Sequence, residues 1–280
     1  MFISMLEIDT GTNPDRPNPG RQWLKDIYRV HQRLWMAFPD AQSREQDPFF
    51  LSPFKGAGTS TSKPKRSITG FLFRIERDGR PRILVQSAER PDWAYAFQNA
   101  AFLLREQKMP MVREFDPQPL INETYKFRLL ANVVNRTSVP HPSEQLRTTK
   151  SGLSIRRRRR VENIVRLAAV AEPLPTDPLA LENAIEQRWK PWREWLEKMG
   201  STHGYHVMDE PNRRLVIQAE HVFLRKPQNS QGVSIEKRFN AGLFEGTLVC
   251  SDPAKLRDVL VTGIGSGKAF GFGLLSLARV

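Results

Sequence analysis

The sequence predicts an α+β fold in which one six-element unit, strand–helix–strand–strand–helix–strand, occurs twice. Three observations predict it. Short apolar strands alternate with helical stretches instead of following one another in a single run. A hairpin signal, Phe71-Leu-Phe-Arg-Ile-Glu-Arg77, then Asp78-Gly79, then Arg82-Ile-Leu-Val-Gln-Ser87, sits in the middle of the first half. The same order returns after residue 120, without any repeat at the level of individual residues. This order is the split βαβ, or ferredoxin-like (RRM-like), unit. The expected organisation is therefore two tandem βαββαβ domains, residues 1–120 and 121–280.

Each element has its own reason. Phe2 to Ile8 is a short apolar strand, and the prolines and glycines of Thr10 to Gly20 make a loop. Gln22 to Phe38 reads as one helix stopped by Pro39, with Ile27, Val30, Leu34 and Phe38 at helical spacing toward a core. Tyr28, His31 and Trp35 form the adjoining stripe, three and four residues apart. Asp40 to Lys65 is polar and rich in turn formers, hence a long loop. After the hairpin, Ala94 to Gln107 reads as helix and Met111 to Phe115 as the closing strand.

The second half opens with the alternating strand Thr124 to Val134, followed by a basic loop from Asn135 to Arg160. Pro178 to Met199 is helical, with Pro191 expected to bend it or open a new turn. Tyr205–Met208 and Leu215–Leu224 are strands, Arg225–Arg238 an exposed arm, and Leu243–Cys250 another strand. Asp252 and Pro253 supply the cap and first position of a last helix.

The totals narrow the partners. The chain has 280 residues, 39% of them apolar and 9% aromatic, which suits a globular protein. A net charge of +13 attracts polyanions at long range, so nucleic acid or an anionic surface is the expected partner. No apolar run approaches the roughly 20 residues that cross a bilayer. The start is too short and too soon acidic for a secretory signal. Cys250 is the sole cysteine, so no disulfide within the chain and no cysteine metal site is encoded. The expectation is a cytoplasmic protein, with no membrane role, that binds nucleic acid.

The tail Gly263-Ile-Gly-Ser-Gly-Lys-Ala-Phe-Gly-Phe-Gly273 holds five glycines in eleven residues. Its backbone can take positive φ and approach phosphate oxygens closely, with Lys268 adding charge. A flexible turn before a buried strand is the plainer reading. It is not a P-loop, because Thr262 and Ala269 stand where Gly and Ser or Thr are needed. A helix precedes it and a strand follows, the reverse of a dinucleotide-binding turn. Nucleotide cofactors are not expected.

An N-terminal strand, the helix bearing Tyr28-Arg-Val-His31-Gln-Arg-Leu-Trp35, and this tail running on into Leu274-Leu-Ser-Leu277 together resemble a known family. They are similar to the CasE-type CRISPR-associated endoribonucleases, members of the RAMP superfamily that cut CRISPR precursor RNA within the Cascade complex. Ser87-Ala-Glu-Arg-Pro-Asp-Trp93 and Phe127-Arg-Leu-Leu-Ala-Asn132 fit the same pattern, so the resemblance covers nearly the full length. It implies tandem ferredoxin-like domains, cleavage without metal or cofactor, recognition of a repeat RNA hairpin, and other Cascade-type subunits as partners. The loop at 40–65 and the five-arginine run are longer and more basic than the family pattern.

Metal-free cleavage uses the substrate's 2′-hydroxyl as nucleophile. The protein must move protons and stabilise charge on the phosphorane. Histidine suits proton transfer, and the family's catalytic histidine falls on His31. Tyr28, one turn earlier, can reach the same phosphate, and the division of base and acid between the pair stays open. His141, His203, His206 and His221 lack acidic or cysteine companions for a metal site, and paired carboxylates at nuclease spacing are absent.

For RNA binding the expected residues are Arg156, Arg157, Arg158, Arg159 and Arg160, the densest charge in the chain. Arg225, Lys226, Lys237 and Arg238 lie on the arm, which could enter the groove of an RNA stem. Gly265, Gly267 and Lys268 of the tail would support the backbone near the cleavage face or between the domains. A non-catalytic RNA-binding subunit and a generic basic DNA binder are the competing readings.

Overall fold

The computed structural model describes residues 1–13, 15–39, 70–133, 147–148, 154–155, 177–210, 213–226 and 235–280. These form a mixed α+β fold with two larger antiparallel sheets and one short two-stranded ladder. The loop expected at 40–65 and the run Arg156–Arg160 lie outside the described residues.

The first sheet is built from β1 (Phe2–Glu7), β2 (Phe71–Glu76), β3 (Arg82–Ser87) and β4 (Val112–Glu114), in the order β2-β3-β1-β4. β1 lies between β3, with Phe2 opposite Ser87, and β4, with Phe2 opposite Glu114. The expected hairpin forms in register, Phe71 opposite Ser87 and Glu76 opposite Arg82.

The single helix expected at 22–38 is two, α1 (Pro19–Lys25) and α2 (Ile27–Trp35). Asp26 is the reason. Its backbone turns extended (φ −109°, ψ 90°) and its carboxylate accepts from the N–H groups of Tyr28 and Arg29, at 3.1 and 3.3 Å. A side chain that satisfies the first free amides of a helix fixes where that helix begins. Asn18 does the same for α1, accepting from Arg21 N–H, with Pro19 at the first helical position. Ile27, Val30 and Leu34 are buried as the periodicity predicts, and Phe38 packs partly buried against them.

The helix expected at 94–107 is also shorter. Only α3 (Trp93–Phe97) is α-helical, capped by Asp92, and two 3₁₀ turns follow at Ala101–Leu103 and Arg105–Gln107. Leu104 interrupts them in extended conformation because it bridges Ile8 and is 1% exposed. Burying that side chain in the first core beside Ile8 outweighs continued helical hydrogen bonding.

The second large sheet runs β11-β5-β10-β8, from β5 (Thr124–Ala131), β8 (Tyr205–Met208), β10 (Ile235–Cys250) and β11 (Leu275–Arg279), with β9 (Val216–Lys226) also paired to β10. β6 (Arg147–Thr148) and β7 (Ser154–Ile155) make the short ladder. α4 (Pro178–His203) continues through Pro191 without opening a new turn, one of the two alternatives expected there, and buries Trp192, Trp195 and Leu196. Gly242 of β10 is required by that packing, since a Cβ there would lie 2.4 Å from the Trp192 ring. α5 (Pro253–Thr262) starts at Asp252 and Pro253 as expected, with the Asp252 side chain accepting from Lys255 N–H.

The described ends of the arm, at 225–226 and 235–238, continue the sheet, and residues 227–234 lie outside the described residues. β9 and β10 pair from Val216–Glu245 out to Lys226–Ile235, so β10 is 16 residues long where the sequence suggested eight. Phe239 and Ala241 of β10 join the core of the first sheet, while Phe244, Leu248 and Cys250 lie in the core of the second.

The halves also meet through charge. Arg74, 3% exposed, donates from Nε to Glu76 at 2.7 Å, from Nη1 to the carbonyls of Arg128 and Leu274 (3.0 Å each) and from Nη2 to Ser276 at 3.1 Å. Arg128 of β5 reaches back to Glu76 at 2.7 Å, to Glu245 at 3.0 Å, and to Asp78. This network forms one wall of a cleft of about 620 Å³, where Arg82, Lys126, Arg213 and Arg214 also line the space between the sheets.

Candidate active site

α2 places the Tyr28, His31 and Trp35 stripe beside its buried stripe, and the helix packs against β9 and against the 3₁₀ turn Lys268–Phe270 of the glycine-rich tail. Residues from the beginning and the end of the chain thus meet around one helix. Phe239 of β10 stacks on Phe270 at 5.2 Å and contacts Phe272 edge-on at 5.6 Å, fixing the tail against the base of the arm.

The His31 imidazole lies on an aromatic floor. It stacks on Phe71 at 5.3 Å and 23°, and on Phe73 at 6.1 Å and 27°. Trp35 leans on it at 5.9 Å. The ring is half-buried rather than sealed in, while its Nδ1 is buried without a hydrogen-bond partner among the described residues. Loss of solvation on burial lowers its pKa from 6.5 to about 4. His31 is therefore neutral at pH 7.

That shift has a sign for stability. Between pH 6.5 and about 4 the unfolded chain binds a proton at His31 that the folded chain does not, so stability falls as pH falls through this window. At pH 5 the folded protein is expected to be about 2 kcal/mol less stable than at pH 7.5 from this residue alone. Urea unfolding at both values checks it: His31→Phe, which keeps the aromatic packing, should lose that part of the pH dependence.

Tyr28 is half-buried on the same stripe and packs against the first core. The arm positions Arg225, Lys226, Lys237 and Arg238 lie on β9 and β10, within four residues of the Val222–Phe239 pair that packs with α2. The structure thus brings the helix, the tail and the base of the arm together.

The tail itself does something other than present a free lysine. Lys268 Nζ donates to the Thr262 carbonyl at the end of α5. Gly265 (φ +76°) lies beside Trp195 and Asn132, and Gly267 (φ +82°) against Phe272. Gly273 (φ +88°) donates to the Leu130 carbonyl at 2.8 Å, and a Cβ there would lie 2.4 Å from the Ile264 carbonyl oxygen. The glycines allow a close approach of backbone to backbone in the turn before the last strand.

His203 closes α4 with its pKa lowered by burial, and His206 lies on β8. Among the described residues, no three His, Cys, Asp or Glu side chains converge as a metal site would require, and no helix is long and apolar enough to cross a membrane. Two features escaped the sequence reading. Arg74 and Glu76 stand on the polar side of an alternating strand, which looks solvent-facing until a second sheet covers it. Trp35 counted as one member of a stripe, with nothing to tell that it is 38% exposed.

The chain is 25% identical over 262 residues to the CRISPR system Cascade subunit CasE of Escherichia coli (strain K12), covering 92% of this chain and 94% of that one. It is 27% identical over 200 residues to the CRISPR-associated endoribonuclease Cse3 of Thermus thermophilus, covering 71% and 73%. The structure of CRISPR endoribonuclease Cse3 bound to 19 nt RNA shares the fold with a TM-score of 0.54 at 21% identity, over 100% of both chains. The family described as CRISPR associated protein matches residues 1–279, and the chain belongs to it.

Proposed function

We propose that this chain is a metal-independent endoribonuclease that cuts CRISPR precursor RNA at the base of the repeat stem-loop and stays bound to the guide it makes. The observation that carries the reading is a half-buried, neutral imidazole on a helix that meets both the tail and the base of a basic arm. Relatives named as the Cascade subunit CasE and as the endoribonuclease Cse3 point the same way, and make other Cascade subunits the expected protein partners. Both large sheets have the strand order of a ferredoxin-like unit, β4-β1-β3-β2 and β11-β5-β10-β8. A tandem ferredoxin-like architecture divided near residue 120 is the reading that fits them.

In this mechanism the RNA 2′-hydroxyl attacks the adjacent phosphorus and the 5′-oxygen leaves, giving a 2′,3′-cyclic phosphate. With Nδ1 enclosed, proton transfer at His31 runs through Nε2. The neutral ring is ready to accept a proton, and an adjacent phosphodiester raises its pKa by stabilising the cation. Tyr28 orients the ribose or assists the transfer from one turn away. Arg225, Lys226, Lys237 and Arg238 grip the stem, and Arg156 to Arg160, outside the described residues, add phosphate contacts.

The test uses a repeat hairpin RNA and its twin carrying a single 2′-deoxynucleotide at the cut. The native RNA should be cleaved equally with and without EDTA, and the twin should bind as tightly yet stay intact. Cleavage of the 2′-deoxy RNA, or loss of cleavage in EDTA, would overturn the mechanism. Binding without any cleavage would leave the non-catalytic RNA-binding subunit as the correct reading.

A further inference from the structure

Trp35 ends α2 one turn beyond His31. Trp23, Trp93, Trp192 and Trp195 are buried in the two cores, whereas Trp35 keeps 38% of its surface in solvent. A single exposed apolar side chain is ordinary by itself. What sets this one apart is its mounting. The indole contacts His31 at 5.9 Å and 55°, and Phe71 at 6.0 Å and 57°. The same Phe71 ring is the floor on which the imidazole stacks at 5.3 Å. Imidazole and indole therefore share one support and hold a fixed relation to each other. Both ring contacts to the indole are tilted, so among the described residues no ring lies flat upon it.

Cleavage by the 2′-hydroxyl needs the attacking oxygen, the phosphorus and the leaving oxygen in line. A nucleotide stacked in an A-form helix does not offer that alignment, so one at the cut must be splayed out. Proteins that hold splayed RNA bases do so by stacking them on aromatic rings. A nucleotide whose phosphate meets His31 presents its base to the neighbouring indole.

We propose, on the reading of the chain as an RNA-cleaving enzyme, that Trp35 is a positioning residue whose open face stacks on the base of a nucleotide flanking the scissile phosphate. Its contribution is to alignment at the cut, whereas affinity for the hairpin resides in the basic arm.

The experiment measures single-turnover cleavage and hairpin affinity for wild type, Trp35→Leu and Trp35→Phe. Each is tested on native RNA and on two RNAs with one abasic nucleotide, placed 5′ or 3′ of the cut. Trp35→Leu should slow cleavage of native RNA by roughly 5- to 100-fold, the range of a lost base–aromatic stack. Its hairpin affinity should stay within about twofold, because the phosphate contacts that dominate affinity lie elsewhere, and Trp35→Phe should recover most of the rate. One of the two abasic RNAs should slow the wild type by a similar factor, and on that RNA Trp35→Leu should lose nothing more. Wild-type cleavage unaffected by either abasic site would overturn the proposal even if Trp35→Leu failed to fold. So would full multiplication of the two losses on both RNAs. A wild type that cleaves no RNA at all would instead sink the enzyme assignment on which the proposal rests.

Discussion

His31→Ala is expected to slow single-turnover cleavage of a repeat hairpin by roughly 10²- to 10⁴-fold, the contribution of a positioned proton-transfer group. Hairpin affinity should hardly change. The ring is neutral at pH 7 and half-buried on Phe71 and Phe73, so it supplies no charge to hold phosphate. The gap it leaves on the aromatic floor weakens the fold somewhat, so His31→Asn, a polar replacement of closer size, belongs beside it as a control. Both variants should bind the hairpin and leave it uncut. Normal cutting by either one removes His31 from the chemistry.

The second large effect is on stability. Glu76→Ala is expected to cost about 3–5 kcal/mol, the usual consequence of deleting one partner of a buried ion pair. Glu76 bonds Arg74 at 2.6 Å and Arg128 at 2.7 Å, and Arg74 is almost wholly enclosed. Without the carboxylate, that guanidinium stays buried with backbone carbonyls and Ser276 as its nearest acceptors. Burial already pulls the Arg74 pKa down, with Glu76 opposing it. Replacing the pair together, Arg74→Met with Glu76→Leu, should recover much of the loss, because no isolated charge is then trapped. Urea unfolding of the three proteins decides it, and a Glu76→Ala protein within about 1 kcal/mol of wild type would mean that water enters the network.

Much of the fold was legible in local patterns. The hairpin at 71–87, the cap at Asp252, and the buried stripe of α2 each follow from residues that are neighbours in sequence. The misreadings came where tertiary contacts overrode local preference. Asp26 looked like an ordinary polar helix residue, but its side chain starts a helix. Leu104 sat in a helical pattern, yet its burial against Ile8 imposed an extended backbone. The polar face of β2 promised solvent and met the other sheet instead. At the site, the stripe of Tyr28, His31 and Trp35 was visible from spacing alone. The aromatic floor beneath the imidazole was not, because Phe71 and Phe73 come from a strand some 40 residues later. Lys268 carried a charge in the sequence without any sign that its amine would bind the end of α5.

One strand has the furthest reach. At about 3.3 Å per residue, the 16 residues of β10 extend for roughly 50 Å. Their side chains anchor in both hydrophobic cores along the way. A load applied at the outer end of such a beam is carried into its two foundations together. A chain ending near residue 120 would leave the first core without Phe239, Ala241 and Phe272.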